Sequence, residues 1–478
     1  MKPAVNEEIK LFGSSVSSPV QFSLFGGEST PSDKYANYVK SSRLKIALAE
    51  LENKFLYKDE SHFFANLVNP SKSKSQPFYR WARYREGYSG DLVTELIRRS
   101  GIDTSQQFVI DPMCGSGTTV FESTRSGFNC LGLDVNPFAT DLSAIKLQAY
   151  SENDINQIKE FIDSHLPAGK LIKINITEGQ KQSKRYFNER NYTDLLRIKS
   201  HIESIENGKA KNLLFLAWLT ILEPCSNRRK EGNGLATVET KVIDVEVFYI
   251  EKVKLMLSDI LNCSIPSIES SICNDTVINT GKYANAFGKK INKSAGAIIF
   301  SPPYANSFDY FESYKLELLF GGYCDFEGLQ QLRQKAIRSY RICYGYQIES
   351  DNSLVELICE EIMNAVPEKE KLTGKKDSRT RIVPNLLRGY FADMEKAIEV
   401  FSNIMPSNGK CYIVVDQSSY VGVIVPTDFI FADTAEKYGF EVESIIKCRK
   451  ANTSAQQLTR FPYLKTLLRE SVVCLKKK

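Results

Sequence analysis

At 478 residues the chain is longer than one typical domain, and 42% apolar with 25% charged residues is an ordinary globular composition, which excludes global disorder. Lys+Arg 62 against Asp+Glu 57 leaves +5, which permits a nucleic-acid partner without demanding one. Eleven scattered cysteines without a CxxC pair, three distant histidines, and no apolar run near the roughly 20 residues of a membrane span argue for a reducing cytoplasm and against a disulfide framework, a His-based zinc site or a membrane protein.

Residues 1–35 are rich in Ser, Gly and Pro and read as a flexible arm, and the first ten residues lack the apolar core of a secretion signal. Residues 36–150 begin with a helix at Lys40–Phe55, then an aromatic-basic cluster, PFYRWARYREGYS, and an amphipathic helix ending at Gly101. Short buried strands follow at Gln106–Asp111 and Phe128–Val135, each leading into a helix, the second one after Asn136-Pro137. The alternation stops over 151–268, where 152–166, 186–205 and 211–223 look helical. Strands resume at Ser270–Asp275 and Gly296–Phe300 in the segment 269–321. A polar, charged stretch covers 322–385. The final part, 386–478, holds a helix, the strand Lys410–Val415, a helix at Phe429–Tyr438, and two consecutive strands that suggest an antiparallel pair. Alternating strands and helices imply an α/β fold with a mainly parallel sheet covered on both faces.

Two strings carry chemistry. DPMCGSGTT joins a buried strand to a helix: Gly115 and Gly117 allow positive φ and close backbone approach, and amides at the helix start suit a negative group. It lacks the lysine of a P-loop and the third glycine of GxGxxG. Asp134, at the tip of the next strand, faces the same crevice in a doubly wound sheet and can accept two ribose hydroxyls, so the pair points to an adenosine-containing cofactor. The plainer alternative is a tight turn whose Asp134 only caps the following helix. The second string is Ser301-Pro302-Pro303-Tyr304, directly after the strand AIIF. Two prolines remove two N–H donors and leave carbonyls unquenched. A hydroxyl, a free carbonyl and an aromatic face together suit a planar group carrying an exocyclic –NH2.

In this order, DPMCGSGTT, LDVNP and SPPY resemble the amino-methyltransferases of DNA, with the serine of SPPY typical of the cytosine-N4 subgroup. The resemblance implies a class I methyltransferase (Rossmann-like) seven-stranded mixed sheet, S-adenosyl-L-methionine as cofactor, and double-stranded DNA as partner, with the target base flipped. It leaves room for a cognate restriction nuclease on a separate chain, since no PD…(D/E)xK or HNH-like string occurs here. It carries Asp111, Pro112, Cys114, Gly115, Gly117, Thr118, Thr119 and Asn136 over to the cofactor, with Asp134 at the ribose, Asp275 at the adenine, and Tyr84 and Ser89 at the methionine end. Ser301, Pro302, Pro303 and Tyr304 take the catalytic role. Phe308 and Tyr310 are further stacking candidates, and Asp416 and Ser418 candidates for the target pocket. The basic runs offer Arg228, Arg229 and Lys230 in CSNRRKEGNG, and Arg333, Arg338 and Arg341 in the 322–385 segment, which is the candidate for target recognition. No metal is expected.

Adenine-N6 enzymes and RNA guanine-N2 methyltransferases more often carry Asp or Asn in the first position of the SPPY string. A cytosine-C5 enzyme would need a nucleophilic Pro-Cys loop, for which Pro224-Cys225 is poorly placed in a helical region. A decayed, purely nucleic-acid-binding protein would need a broken motif, and none is broken.

Overall fold

The computed structural model describes residues 40–164, 175–231, 234–239, 241–340, 350–451, 453 and 455–478. The arm expected over 1–35, and Arg341, lie outside the described residues.

Among the described residues twelve strands are numbered in chain order. Eight form one sheet: β1 (Tyr57–Asp59), β2 (Gln107–Asp111), β3 (Cys130–Asp134), β6 (Ser271–Asn274), β7 (Ser294–Phe300), β8 (Lys410–Asp416), β11 (Phe440–Lys450) and β12 (Arg469–Lys477). Their spatial order is β1-β11-β12-β8-β7-β2-β3-β6. All neighbours run parallel except β12, which is antiparallel to both β8 and β11. Setting the edge strand β1 aside, seven strands with β12 inserted in reverse between β8 and β11 make the class I methyltransferase arrangement. The expected terminal antiparallel pair is present, but β12 turns back inside β11 and hydrogen-bonds β8 as well. β1 was not foreseen: three residues, two of them exposed, are too short to carry a strand pattern.

Each strand sends alternate residues to opposite faces. Phe108, Ile110, Ile298, Phe300, Ile413 and Val415 pack on one face beneath helices Ser42–Lys54, Thr280–Ile291, Ser353–Thr373, Val383–Ile404 and Thr427–Lys437. Val109, Ala297, Ile299, Tyr412 and Val414 pack on the other, under Ser61–Leu67, Gly90–Ser100 and Thr118–Arg125. A separate core, around Trp218, Leu214, Tyr249 and Phe320, holds the insertion together.

One expectation needs correction here. The 151–268 insertion is mainly helical, but the loop expected to present Arg228, Arg229 and Lys230 is an antiparallel strand pair, β4 (Arg228–Glu231) with β5 (Gly234–Thr237). The described part of 322–385 is largely helical. Its helix Ser353–Thr373 buries Leu354, Val355, Ile358, Cys359, Ile362 and Val366 against the sheet layer, because these apolar residues recur at helical spacing between the charged ones that dominate the composition. The remaining strands, β9 (Ser418–Tyr420) and β10 (Val423–Val425), form a small pair after β8.

The chain leaves β2, builds outward through β3 and β6, then returns to lay β7 on the other side of β2. The carboxyl ends of β2 and β7 flank this reversal, where an open sheet leaves a crevice.

Candidate active site

The turn after β2 is fixed by its own backbone. Cys114 N–H donates to Leu133 O at 2.7 Å and ties the turn to β3, and Gly117 N–H donates to Cys114 O at 2.7 Å. Gly115 (φ 49°) and Gly117 (φ 82°) are left-handed. A Cβ at Gly117 would stand 2.6 Å from Ser143 Oγ, and one at Gly115 3.1 Å from the Tyr84 hydroxyl. Only glycine meets both demands.

Asp134 accepts Gly115 N–H through Oδ2 and Asn136 N–H through Oδ1, both at 2.8 Å. Capping of the next helix falls to Asn136, whose Oδ1 accepts Phe138 N–H at 3.1 Å. The alternative in which Asp134 is merely that cap is therefore not what the geometry shows. Burial pushes the Asp111 carboxyl up to about 7 while it accepts Met113 N–H at 3.1 Å. On the far side of the turn, buried Lys146 donates to Ser116 O at 2.9 Å, and burial draws its ammonium down to about 7.

The SPPY string emerges from β7 beside this turn, because β7 and β2 are parallel neighbours. Both open on one crevice of about 540 Å³, a volume suited to a nucleoside-sized ligand. Of the expected cofactor residues, Tyr84, Asp111, Cys114, Gly115, Thr118, Asp134 and Asn136 line it, together with Ser301, Pro302, Pro303 and Tyr304. Phe308, Tyr310 and Asp416 line it too. The others stand back. Pro112 and Gly117 shape the turn without facing the crevice. Thr119 is buried against the Tyr88 hydroxyl, and Ser89 donates to Leu67 O at 2.7 Å. Asp275 is off the crevice, its carboxylate taken by Thr276 N–H, Asn279 Nδ2 and the Tyr283 hydroxyl at 2.7 to 2.8 Å. Ser418 is buried and does not line the crevice.

Ser301 donates its hydroxyl proton to the Tyr304 hydroxyl at 3.3 Å, and Tyr304 in turn donates to Glu470 at 3.5 Å. The chain of bonds is long but its polarity is set by the terminal carboxylate: Ser301 is turned donor-inward and keeps its lone pairs free. Tyr304 is thereby anchored at the wall as well as offering a ring. Sequence reasoning missed Glu470 and Arg449, which line the same wall, and Glu86, which accepts the Tyr314 hydroxyl beside the Tyr84–Tyr314 ring stack at 4.7 Å. The signal was present only as a pairing: β8, β12 and β11 place Asp416, Glu470 and Arg449 side by side.

The cationic residues expected to grip a polyanion fare unevenly. Lys230 is buried, its ammonium 2.5 Å from Glu317 and 3.9 Å from Glu223. Arg333 is buried on Asp309 at 2.7 Å and Glu312 at 3.2 Å, and Arg338 on Asp393 at 2.7 Å. All three are internal ion pairs, not free phosphate contacts. Arg228 and Arg229 are half-buried, the first over the Tyr186 ring at 4.9 Å, the second bonded to Glu223 O at 2.7 Å. Cys225 does not line the crevice, and burial pushes its thiol up to about 12, so Cys225 is not placed to serve as a nucleophile for C5 chemistry.

The strand order is that of the class I methyltransferase fold. The relatives point the same way. Over 485 aligned positions the chain is 27% identical to the Type II methyltransferase M.BsoBI of Geobacillus stearothermophilus, covering 91% of this chain and 92% of that one. It is 26% identical over 447 residues to the Type II methyltransferase M.AvaI of Anabaena variabilis, covering 86% and 89%. A shorter match, 28% over 206 residues, joins it to the Type II methyltransferase M.MjaII of Methanocaldococcus jannaschii, across 41% of this chain and 37% of that one. No protein-family model matches the chain. The relatives support methyl transfer as the chemistry.

Proposed function

We propose that the chain methylates the exocyclic N4 amine of cytosine in double-stranded DNA, using S-adenosyl-L-methionine, as the modification arm of a restriction-modification system. The relatives' shared designation as Type II methyltransferases supports the DNA substrate. The observation that carries the reading is that the glycine turn and SPPY leave adjacent parallel strands and open on one crevice.

The residues fit the cofactor. Gly115 lets the backbone approach closely, and Asp134 keeps lone pairs beyond the two used by backbone amides, available to ribose hydroxyls. Tyr84 and Thr118 would flank the methionine part. Bound there, the cofactor supplies an electrophilic sulfonium methyl. The chain's own contribution is to prepare the nucleophile. An aromatic amine is weak because its lone pair is conjugated with the ring. Ser301 Oγ and the Pro302 carbonyl, both acceptors, draw on its two N–H bonds and favour a pyramidal nitrogen, an effect strongest in the transition state. Once methylated, the nitrogen is acidic enough to release its proton to water, so no strong base is needed. A base inside a duplex cannot reach this depth, and the flipped base would meet Tyr304 and Phe308.

Incubation with methyl-labelled cofactor and DNA of mixed sequence, followed by digestion and mass analysis of nucleosides, tests the reading. N4-methylcytosine is the expected product. N6-methyladenine would move the target to adenine, and label in RNA alone would reject DNA as substrate.

A further inference from the structure

The wall of the crevice opposite the glycine turn is a cross-strand row: Asp416 on β8 faces Glu470 on β12, and Glu470 faces Arg449 on β11. All three line the crevice with SPPY. Arg449 Nε bonds Glu470 Oε2, and Tyr304 donates to Glu470 Oε1 at 3.5 Å, so both Glu470 oxygens have donors. Asp416 has none: its buried Oδ1 is without a hydrogen-bond partner. Two carboxyls opposed on neighbouring strands cannot both ionise cheaply. The charge settles where the guanidinium is, on Glu470, and the proton settles on Asp416. Burial and the Glu470 charge both push the Asp416 carboxyl far up, and the more distant attraction of Arg449 only partly opposes them. The other titratable groups near it, Tyr304 and Tyr310, are neutral phenols held so by burial.

A neutral carboxylic acid has an O–H to donate, which an ionised carboxylate lacks. The amino edge of cytosine presents the complement, the N3 acceptor next to the N4 amine, and adenine offers the same pattern with N1 and the N6 amine. Guanine differs, because the ring nitrogen beside its N2 amine is N1–H, a donor that requires an acceptor, as an ionised carboxylate is.

We propose that Asp416 is the target-reading residue of this crevice: its O–H donates to the ring nitrogen beside the amine of the flipped base, while the two amine hydrogens stay with Ser301 and Pro302. The assignment rests on the amino-methylation reading above and extends it, since it selects amidine-edged bases over guanine. It also fixes the division of labour. Ser301 and Pro302 prepare the nitrogen, Asp416 admits the base, and Glu470 with Arg449 holds the Asp416 proton in place.

The test is KM for double-stranded DNA at saturating S-adenosyl-L-methionine, from about pH 6 to about pH 9.5, for wild type, Asp416→Asn and Asp416→Ala, with cofactor affinity measured on the same samples. Wild-type KM is expected to rise about tenfold across the alkaline limb as the donor is lost. Asp416→Asn, which carries an acceptor and a permanent donor, is expected to give a KM independent of pH. Asp416→Ala is expected to raise KM about tenfold at every pH while cofactor affinity holds. A flat wild-type profile, or an asparagine variant that matches alanine, overturns the proposal. Should Asp416→Ala not fold, the other two profiles still decide. The nucleoside product separates this from the underlying reading: methyladenine displaces cytosine but leaves Asp416 its role, whereas methylguanine overturns both.

Discussion

A serine hydroxyl can donate or accept, and which it does in this crevice is decided two residues away. The Ser301–Tyr304–Glu470 relay ends on a carboxylate paired with Arg449, so Ser301 gives its proton inward and leaves its lone pairs free for the amine of the proposed target. Ser301→Ala is therefore expected to lower kcat by on the order of a hundredfold, read in single-turnover methylation, with cofactor affinity nearly unchanged. Two other groups give a pH signature of stability. Asp111 holds its proton more tightly folded, at about 7 against an ordinary 3.8, so its contribution is full below about pH 4 and is lost as pH rises through about 7. Lys146 is the reverse: its folded value of about 7 lies below the ordinary 10.5, so its contribution is present above about pH 10.5 and is lost as pH falls through about 7. Thermal midpoints against pH should show Asp111→Asn flattening the descent between about pH 4 and 7, and Lys146→Met flattening the ascent above it. Unchanged slopes in both variants would contradict the burial of these groups.

Elements show where sequence reading succeeds and where it stops. The turn after β2 and the SPPY string were legible because their conformations are local: two glycines at positive φ and two prolines without N–H donors state their geometry wherever they occur. The basic runs were not legible in the same way. A lysine in CSNRRKEGNG looks like a phosphate contact until the fold brings Glu317 to it from a helix distant in sequence, and Arg338 looks free until Asp393 arrives. Sequence displays a charge but not its distant partner. Lys230→Ala should accordingly behave as a stability variant. It strands Glu317, whose Oε2 already lacks a partner, and is expected to cost about 3–5 kcal/mol in urea unfolding. Replacing both residues, Lys230→Met with Glu317→Leu, should recover most of that loss. A normal unfolding midpoint with impaired DNA binding in Lys230→Ala would instead restore it to the interface.

For the whole molecule, the alternation of strands and helices carried the fold class, yet the strand order could not be read from it. That order depends on β7 returning to the inner side of β2, a tertiary choice made by matching buried faces. The return is what joins two strings separated by a long insertion into a single crevice, for which the proposed division is a nucleoside end at Gly115 and Asp134 and an amine end at Ser301. The most direct measurement of that division is calorimetric titration of S-adenosyl-L-methionine into wild type, Asp134→Ala and Ser301→Ala, with methyl-transfer rates taken from the same preparations. Asp134→Ala is expected to weaken cofactor binding by roughly 10- to 100-fold, about 1.4–2.7 kcal/mol, while Ser301→Ala binds it as wild type does and transfers slowly. Equal losses of affinity in the two variants, or full transfer without the serine hydroxyl, would contradict it.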